Sequence, residues 1–241
     1  MISSIKKRYR LVAASFVLLL SAVTICYSQK HTSGDNTAKP DSPAFLSQPL
    51  TVGWRYDSDL TLNLTPAFDQ DRVYLPLAGG IIVSLKAGDG TLNWRSEFGG
   101  ELSASPAADD RSVYVASEAG KPETGIRRAT GALRALGKEG GVTHWMRTLA
   151  MPLQGSLTLA NGKLFGGGRD GRFYAFDSNT GEIRWSFSYS APFDSQPVVA
   201  GSRVYAGSED GNLIVLDEQT GKLLWRYRTR GSVTGPVAIK E

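Results

Sequence analysis

Five tryptophans stand at positions 54, 94, 145, 185 and 225, at intervals of 40, 51, 40 and 40 residues. A fixed period in this range marks a chain made of copies of one supersecondary unit. The last copy, Arg203–Tyr227, is the clearest. Val204-Tyr205-Ala206-Gly207 is β-rich, and Glu209-Asp210-Gly211 supplies a hairpin turn in which glycine takes the positive φ. Leu213-Ile214-Val215-Leu216 is a continuous apolar run, as expected of a strand covered on both faces. Asp217 opens a second turn that closes at Thr220-Gly221, where the short carboxylate can bond backbone amides, and Lys222–Tyr227 carries Trp225 outward again. Forty residues earlier, Lys163–Phe187 repeats the pattern, with Asp177 and Gly181 in the turn and Trp185 at the end.

Each unit thus offers four strands, A to D: a short one after a proline, a Val-Tyr strand, an apolar strand and a Trp strand. A four-stranded antiparallel sheet of this kind cannot bury both faces alone. Radial stacking on like sheets solves the problem, so the expected fold is all-β, a β-propeller of four-stranded blades over residues 50–241. No segment of the repeat has a 3.6-residue apolar period, which excludes a helical solenoid. Units close at Trp94, Trp145, Trp185 and Trp225, and each Trp is expected to wedge between adjacent blades, so that loss of Trp185 or Trp225 is equally damaging. Strict alternation along the last strand puts Leu223, Trp225 and Tyr227 on one face and Lys222, Arg226 and Arg228 on the other.

The formal charge of +4 is misleading as a guide to partners. Lys6, Lys7, Arg8 and Arg10 lie in the first ten residues, and 1–28 contain no acid, so the remainder carries 23 basic against 23 acidic residues. A nucleic-acid partner is not indicated. The basic start followed by the apolar run Leu11–Tyr27 reads as a secretory signal or an N-terminal membrane anchor, expected to be an apolar helix. Cys26 is the single cysteine, so no disulfide framework and no cysteine-based metal or catalytic site is available. Lipidation of Cys26 and a bland place in the apolar segment both stay open, with Ile25 before it a poor match to a lipobox. Residues 29–49, rich in Ser, Pro and Asp and holding a solvated His31, read as a flexible linker.

The pattern of Val-Tyr, Gly, Asp-Gly, an apolar strand ending in Asp, then Thr-Gly and Trp resembles the PQQ-like (quinoprotein/BamB-like) propeller repeat. The resemblance covers about residues 50–240 and is strongest at 197–227. It is specific for fold and weak for activity, because the repeat serves quinoprotein alcohol dehydrogenases and non-catalytic scaffolds alike. An enzyme of this family implies an eight-blade scaffold, a calcium-bound PQQ, a catalytic aspartate and often a vicinal cysteine disulfide and a cytochrome motif. This chain is too short for that scaffold, has one cysteine and lacks C-x-x-C-H.

Unit two is longer by eleven residues. Aligning Gly131 with Gly171 and Gly211 places the insertion at Gly120–Thr130, between strands B and C, with Lys121, Arg127 and Arg128 against Glu123 alone. Function is often carried on such loops, so these three cations are the expected partner contacts; a solvated hairpin extension is the alternative. Gly137 and Gly140 replace the Asp and Thr of the C–D turn in this unit, which is expected to be looser. Trp54 belongs to a Trp strand with no unit before it, and Gly235–Ile239 resembles the first strand of a fifth. Closure of a small ring, a homodimer completing a larger one and a truncated chain all remain open.

Gly166–Gly171 fits G-x-G-x-x-G formally, but no helix follows, and the same positions in unit four form a hairpin. Asp177 and Asp217 recur at one repeat position and read as turn caps, not as a catalytic pair. His144 precedes Trp145 in a strand, with no second His or acid cluster near it in sequence. No G-x-S-x-G or H-E-x-x-H signature occurs. These features point to a non-catalytic, exported, periplasmic or membrane-anchored scaffold, BamB-like, without catalytic, cofactor or metal residues. Its expected partner is a protein or extended peptide of the cell envelope. The alternative is a PQQ-binding oxidoreductase fragment or sensor, and a third reading is a remnant whose missing half carried the function.

Overall fold

Sixteen strands and no helix occupy the residues that the computed structural model describes, 51–118 and 130–239. Residues 1–28, expected to be an apolar signal or anchor helix, and 29–49, expected to be a linker, lie outside them. All strands belong to the unit Trp54–Glu241. They form four antiparallel meanders, one per repeat, as the period requires. Blade 1 comprises β1 (Ala67–Phe68), β2 (Arg72–Leu77), β3 (Ile81–Lys86) and β4 (Leu92–Glu97). Blade 2 comprises β5 (Leu102–Ala108), β6 (Ser112–Glu118), β7 (Gly131–Gly137) and β8 (Thr143–Leu149). Blade 3 comprises β9 (Leu153–Ala160), β10 (Lys163–Gly168), β11 (Arg172–Asp177) and β12 (Ile183–Ser188). Blade 4 comprises β13 (Val198–Ala200), β14 (Arg203–Gly207), β15 (Asn212–Asp217) and β16 (Leu223–Arg228). The innermost strands β5 and β9 touch through one parallel bridge, Ser105 to Ser156, which links blades 2 and 3.

The core lies between blades, because the apolar B and C strands have side chains to bury on both faces. Trp94, Tyr74 and Ile82 of blade 1 meet Val113, Val115 and Leu136 of blade 2. Tyr114, Leu133 and Ala135 of blade 2 meet Leu164, Tyr174 and Phe176 of blade 3, with Trp145 packed against them. Phe165, Phe173 and Trp185 of blade 3 meet Val204, Ile214 and Leu216 of blade 4. The wedge role expected of the indoles is realised at Trp94, Trp145 and Trp185. Trp225 departs from it: 43 % exposed, it has no described blade beyond it.

A second departure concerns the faces of the Trp strand. Every D strand carries a bulge just before its tryptophan, where the register shifts between Ser84 and Leu85, Ala135 and Leu136, Ala175 and Phe176, and Val215 and Leu216. The extra residue is Asn93, His144, Arg184 or Leu224. In blade 4, Leu223 therefore pairs with Leu216 while Trp225 pairs with Val215. Directly paired residues share a face, so Leu223 lies opposite Trp225 and Tyr227 rather than beside them. One inserted residue resets the alternation, which a strict period of two cannot anticipate.

Two rims result. B–C hairpins and D–A connections share one, tied by Phe98 N–H to Gly80 O (3.0 Å), Tyr189 N–H to Gly171 O (2.8 Å) and Thr229 N–H to Gly211 O (2.7 Å). A–B and C–D turns share the other, tied by Ala87 N–H to Asp71 O (2.8 Å), Lys138 N–H to Arg111 O (3.0 Å), Ser178 N–H to Gly162 O (3.1 Å) and Glu218 N–H to Ser202 O (3.0 Å). The C–D turn of blade 2 keeps the backbone ties of its counterparts, Gly137 N–H to Val142 O (2.7 Å) and Gly141 N–H to Gly137 O (2.8 Å). It is not looser as expected; the positive φ of Gly141 closes it without an Asp cap.

Three tyrosines tie strands to turns: Tyr74 donates to Asp69 (2.8 Å), Tyr114 to Asp109 (2.9 Å) and Tyr174 to Asp170 (3.3 Å). Burial, aided by the bond to the Asp109 carboxylate, pushes the Tyr114 phenol up to about 12. A raised acid pKa means that the folded state retains a proton the unfolded chain releases near pH ~10. The stability so contributed is complete below that pH and is lost as pH rises through about 12. Urea unfolding measured from pH 9 upward is expected to fall more steeply for the wild type than for Tyr114→Phe; parallel profiles would remove this role.

Candidate functional site

The rim of B–C hairpins and D–A connections is where blade 2 differs from its neighbours. Its insertion leaves β6 at Glu118 and rejoins at Thr130, and both feet are fixed. Glu118 N–H donates to Glu101 O (2.7 Å), and the Thr130 hydroxyl donates to Ala150 O (2.7 Å). Lys121, Arg127 and Arg128 lie outside the described residues. Close to the feet stands Arg134, which the sequence reading passed over. It occupies the place held by Val83, Tyr174 and Ile214 in the other blades, donates to Ser117 Oγ (2.6 Å) and lies 4.8 Å from the centre of the Phe98 ring. Burial lowers its pKa. A cation inside an otherwise apolar C strand was the one available signal. Further round the same rim, a polar cleft of about 300 Å³ is lined by Tyr189, Ser190, Asp210, Asn212, Arg226 and Arg228.

The residues singled out for chemistry are engaged in structure. Asp177 Oδ1 accepts from the amides of Asn179 and Thr180 (both 2.9 Å), while Oδ2 accepts from Arg184 (2.6 Å). The Arg184 bond holds the Asp177 carboxyl below its ordinary range. Asp217 Oδ1 accepts from the Thr220 hydroxyl (2.7 Å) and from the Thr220 (2.8 Å) and Gln219 (3.2 Å) amides, which likewise lower its pKa. Both are turn caps. Gly166–Gly171 is the β10–β11 hairpin, turning at Gly171 with φ of 73°. His144 is the bulged residue of β8, exposed, beside Gly137. Among the described residues no group of three His, Cys, Asp or Glu side chains could hold a metal ion. A larger cleft of about 410 Å³ lies on the opposite rim, lined by Gln70, Asp71, Arg72, Lys86 and Asp89 among others.

The joints between blades share one geometry. The Trp94 indole N–H donates to Lys138 O (2.7 Å), that of Trp145 to Ser178 O (3.0 Å) and that of Trp185 to Glu218 O (3.0 Å). Each acceptor sits in the C–D turn of the following blade, and each ring covers the left-handed glycine of that turn: Gly141, Gly181 and Gly221. Trp54 makes the same contact with blade 1, donating to Ala87 O (2.7 Å) over Gly90. In blades 1 to 3 a residue at or beside the start of the B strand reaches the same turn. Arg72 bonds Lys138 O and Glu139, Arg111 beside β6 bonds Asn179, and Lys163 pairs with Glu218 at 2.8 Å.

A family model described as outer membrane protein assembly factor BamB matches residues 50–132 and 129–239. Among solved structures, BamB from Moraxella catarrhalis is 21% identical with a TM-score of 0.63, over 76% of this chain and 54% of its own. The computationally designed Ika8 protein is 17% identical with a TM-score of 0.64, over 77% of this chain and 54% of its own. Quinohemoprotein alcohol dehydrogenase from Comamonas testosteroni is 15% identical with a TM-score of 0.56, over 68% and 34%. The chain thus spans about half the length of the solved BamB, 54%, and the likeness at these identities is one of fold. No curated protein matches the chain.

Proposed function

The chain belongs to the family of the outer membrane protein assembly factor BamB, and from that membership we propose that it is a non-catalytic, extracytoplasmic β-propeller scaffold that holds another envelope protein or an extended peptide. One observation carries the reading. The aspartates that could pass for a catalytic pair, Asp177 and Asp217, are consumed by turn amides, while the repeat varies most in the loop borne by β6 and β7. Loops on a rigid β-scaffold are where binding specificity is carried. Lys121, Arg127 and Arg128 are the contacts assigned to it, and an acidic or carboxylate-rich segment is the complementary partner. The basic start and apolar run of residues 1–28 support export or anchoring at the membrane.

The test is retention of outer-membrane assembly components from a solubilised envelope fraction by the tagged full chain. Replacing Lys121, Arg127 and Arg128 together by alanine is expected to weaken retention roughly tenfold or more, in line with a few interface residues carrying most of the energy. Recovery of no such component, or equal recovery by the triple variant, overturns this version of the role. The likeness to quinohemoprotein alcohol dehydrogenase favours a second reading, a PQQ-binding oxidoreductase fragment or sensor. Saturable binding of PQQ in the presence of calcium, with dye-linked alcohol oxidation, would put that reading in place of the first.

A further inference from the structure

The polar cleft between blades 3 and 4 is built from side chains that the repeat itself does not ask for. In β16, Arg226 pairs with Ile214 and Arg228 with Asn212. Ile214 packs on Phe165, Phe173 and Trp185, so both arginines lie on the side of blade 4 that faces blade 3, opposite Trp225 and Tyr227. Their exposed side chains line the cleft, and neither forms an ion pair among the described residues. The same two places hold Arg95 and Glu97 in blade 1, Met146 and Thr148 in blade 2, and Ser186 and Ser188 in blade 3. Blade 1 answers its arginine with a glutamate at 3.7 Å, whereas blade 4 sets a second arginine there. Blade 3 contributes Tyr189, where blades 1, 2 and 4 have Phe98, Leu149 and Thr229, so its hydroxyl is also an addition to the pattern.

We propose that this cleft binds a carboxylate carried by an acidic protein segment, with Arg226 and Arg228 donating to its oxygens. The planar guanidinium fork matches a carboxylate and forms the stronger, charge-assisted kind of hydrogen bond. The one acid in the cleft, Asp210, is held by its own surroundings. Its Oδ2 accepts from the Tyr189 hydroxyl (3.1 Å), and its Oδ1 accepts from the Asn212 amide (3.3 Å) and the Ser208 hydroxyl. Two guanidinium charges against one carboxylate leave a single positive charge to be met. A monoanion completes that balance, while a phosphate dianion would also face repulsion from Asp210. About 300 Å³ is at the lower end for a small-ligand site, room for one side-chain group and not for a polyanion. Residues 29–241 carry 23 basic against 23 acidic side chains, so no wide basic field accompanies the pair, as nucleic acid or an anionic lipid surface would need. That the carboxylate belongs to a protein segment rests on the scaffold reading; the preference of the cleft for a carboxylate does not.

The experiment is NMR of the full chain in detergent with isotope-labelled arginine, titrated with a capped pentapeptide bearing one central glutamate, with its glutamine counterpart and with inorganic phosphate. The Nε–H signals of Arg226 and Arg228, assigned by their loss in Arg226→Gln and Arg228→Gln, are expected to move together and to saturate with the glutamate peptide alone. Each of these exposed-site variants is expected to weaken that binding roughly tenfold or more, the worth of one charge-assisted hydrogen bond. Replacing Lys121, Arg127 and Arg128 by alanine is expected to leave it unchanged. Equal shifts with the glutamine peptide, or no shift up to about 10 mM glutamate peptide, overturn the proposal. Tighter binding of phosphate than of the glutamate peptide overturns the carboxylate assignment. Retention of envelope components without peptide binding in the cleft removes this inference and leaves the scaffold role. Peptide binding in the cleft without such retention supports the inference and removes the envelope partner.

Discussion

Replacing Trp185 by alanine is expected to cost roughly 3–5 kcal/mol of unfolding free energy, whereas the same change at Trp225 costs about 1 kcal/mol or less. The two residues stand at one repeat position and differ in what covers them. Trp185 is 9 % exposed and sits 5.9 Å from Phe165 and 6.2 Å from Phe173, with Val204, Ala206 and Ile214 of blade 4 in the same cluster. Removing it leaves a cavity that β-sheet backbones on both sides resist closing, and the lost indole N–H orphans the Glu218 carbonyl. That carbonyl belongs to a residue whose own side chain is buried against Lys163, so the joint is weakened where it is least hydrated. Contacts in a repeat protein run between neighbours, so the deficit falls on the blade 3–blade 4 interface and blade 4 unfolds first. Thermal unfolding followed by tryptophan fluorescence is expected to fall by roughly 10 °C for Trp185→Ala, at a few degrees per kcal/mol for a chain of this size. Equal losses for Trp185→Ala and Trp225→Ala would show that the indoles do not act as joints.

The fold was legible because its most demanding residues recur in a sequence that otherwise drifts. Trp94, Trp145 and Trp185 announced both the period and the places where sheets touch, and Asp177 and Asp217 announced their turns through the short carboxylate that bonds two amides ahead. Features that depend on backbone conformation rather than residue type stayed hidden. The bulge at Asn93, His144, Arg184 and Leu224 has no shared side chain to mark it, yet it alone places Leu223 opposite Trp225. The exposure of Trp225 was hidden for another reason: burial belongs to the neighbour, and a unit read singly does not say whether it has one. The candidate site was legible only as a break in the period, the extra residues between β6 and β7. Arg134 beside it went unseen because one cation in an apolar strand reads as solvated until its distance to Phe98 is known.

Replacing Gly221 by alanine is expected to cost roughly 2–5 kcal/mol, the sum of about 1–2 for the left-handed backbone and about 1–3 for overpacking. Gly221 has φ of 69°, and a Cβ there would lie 2.4 Å from Cε3 and 2.5 Å from Cδ2 of Trp185. Two controls separate the causes. Gly201 has φ of 56° with nothing within 4 Å of its Cβ position, so Gly201→Ala should show the backbone cost alone. In a Trp185→Ala background the clash is gone, so Gly221→Ala should likewise fall back to the backbone cost. The two changes are then non-additive by about 1–3 kcal/mol, a coupling expected of residues in direct contact and not of distant ones. Additive losses in urea unfolding would mean that glycine and indole do not meet. The same coupling should hold for Gly181 with Trp145, where the built contact is also 2.4 Å, because the joint is one device repeated. Glycine at this position is therefore required twice over, by its own φ and by the ring that the preceding blade lays upon it.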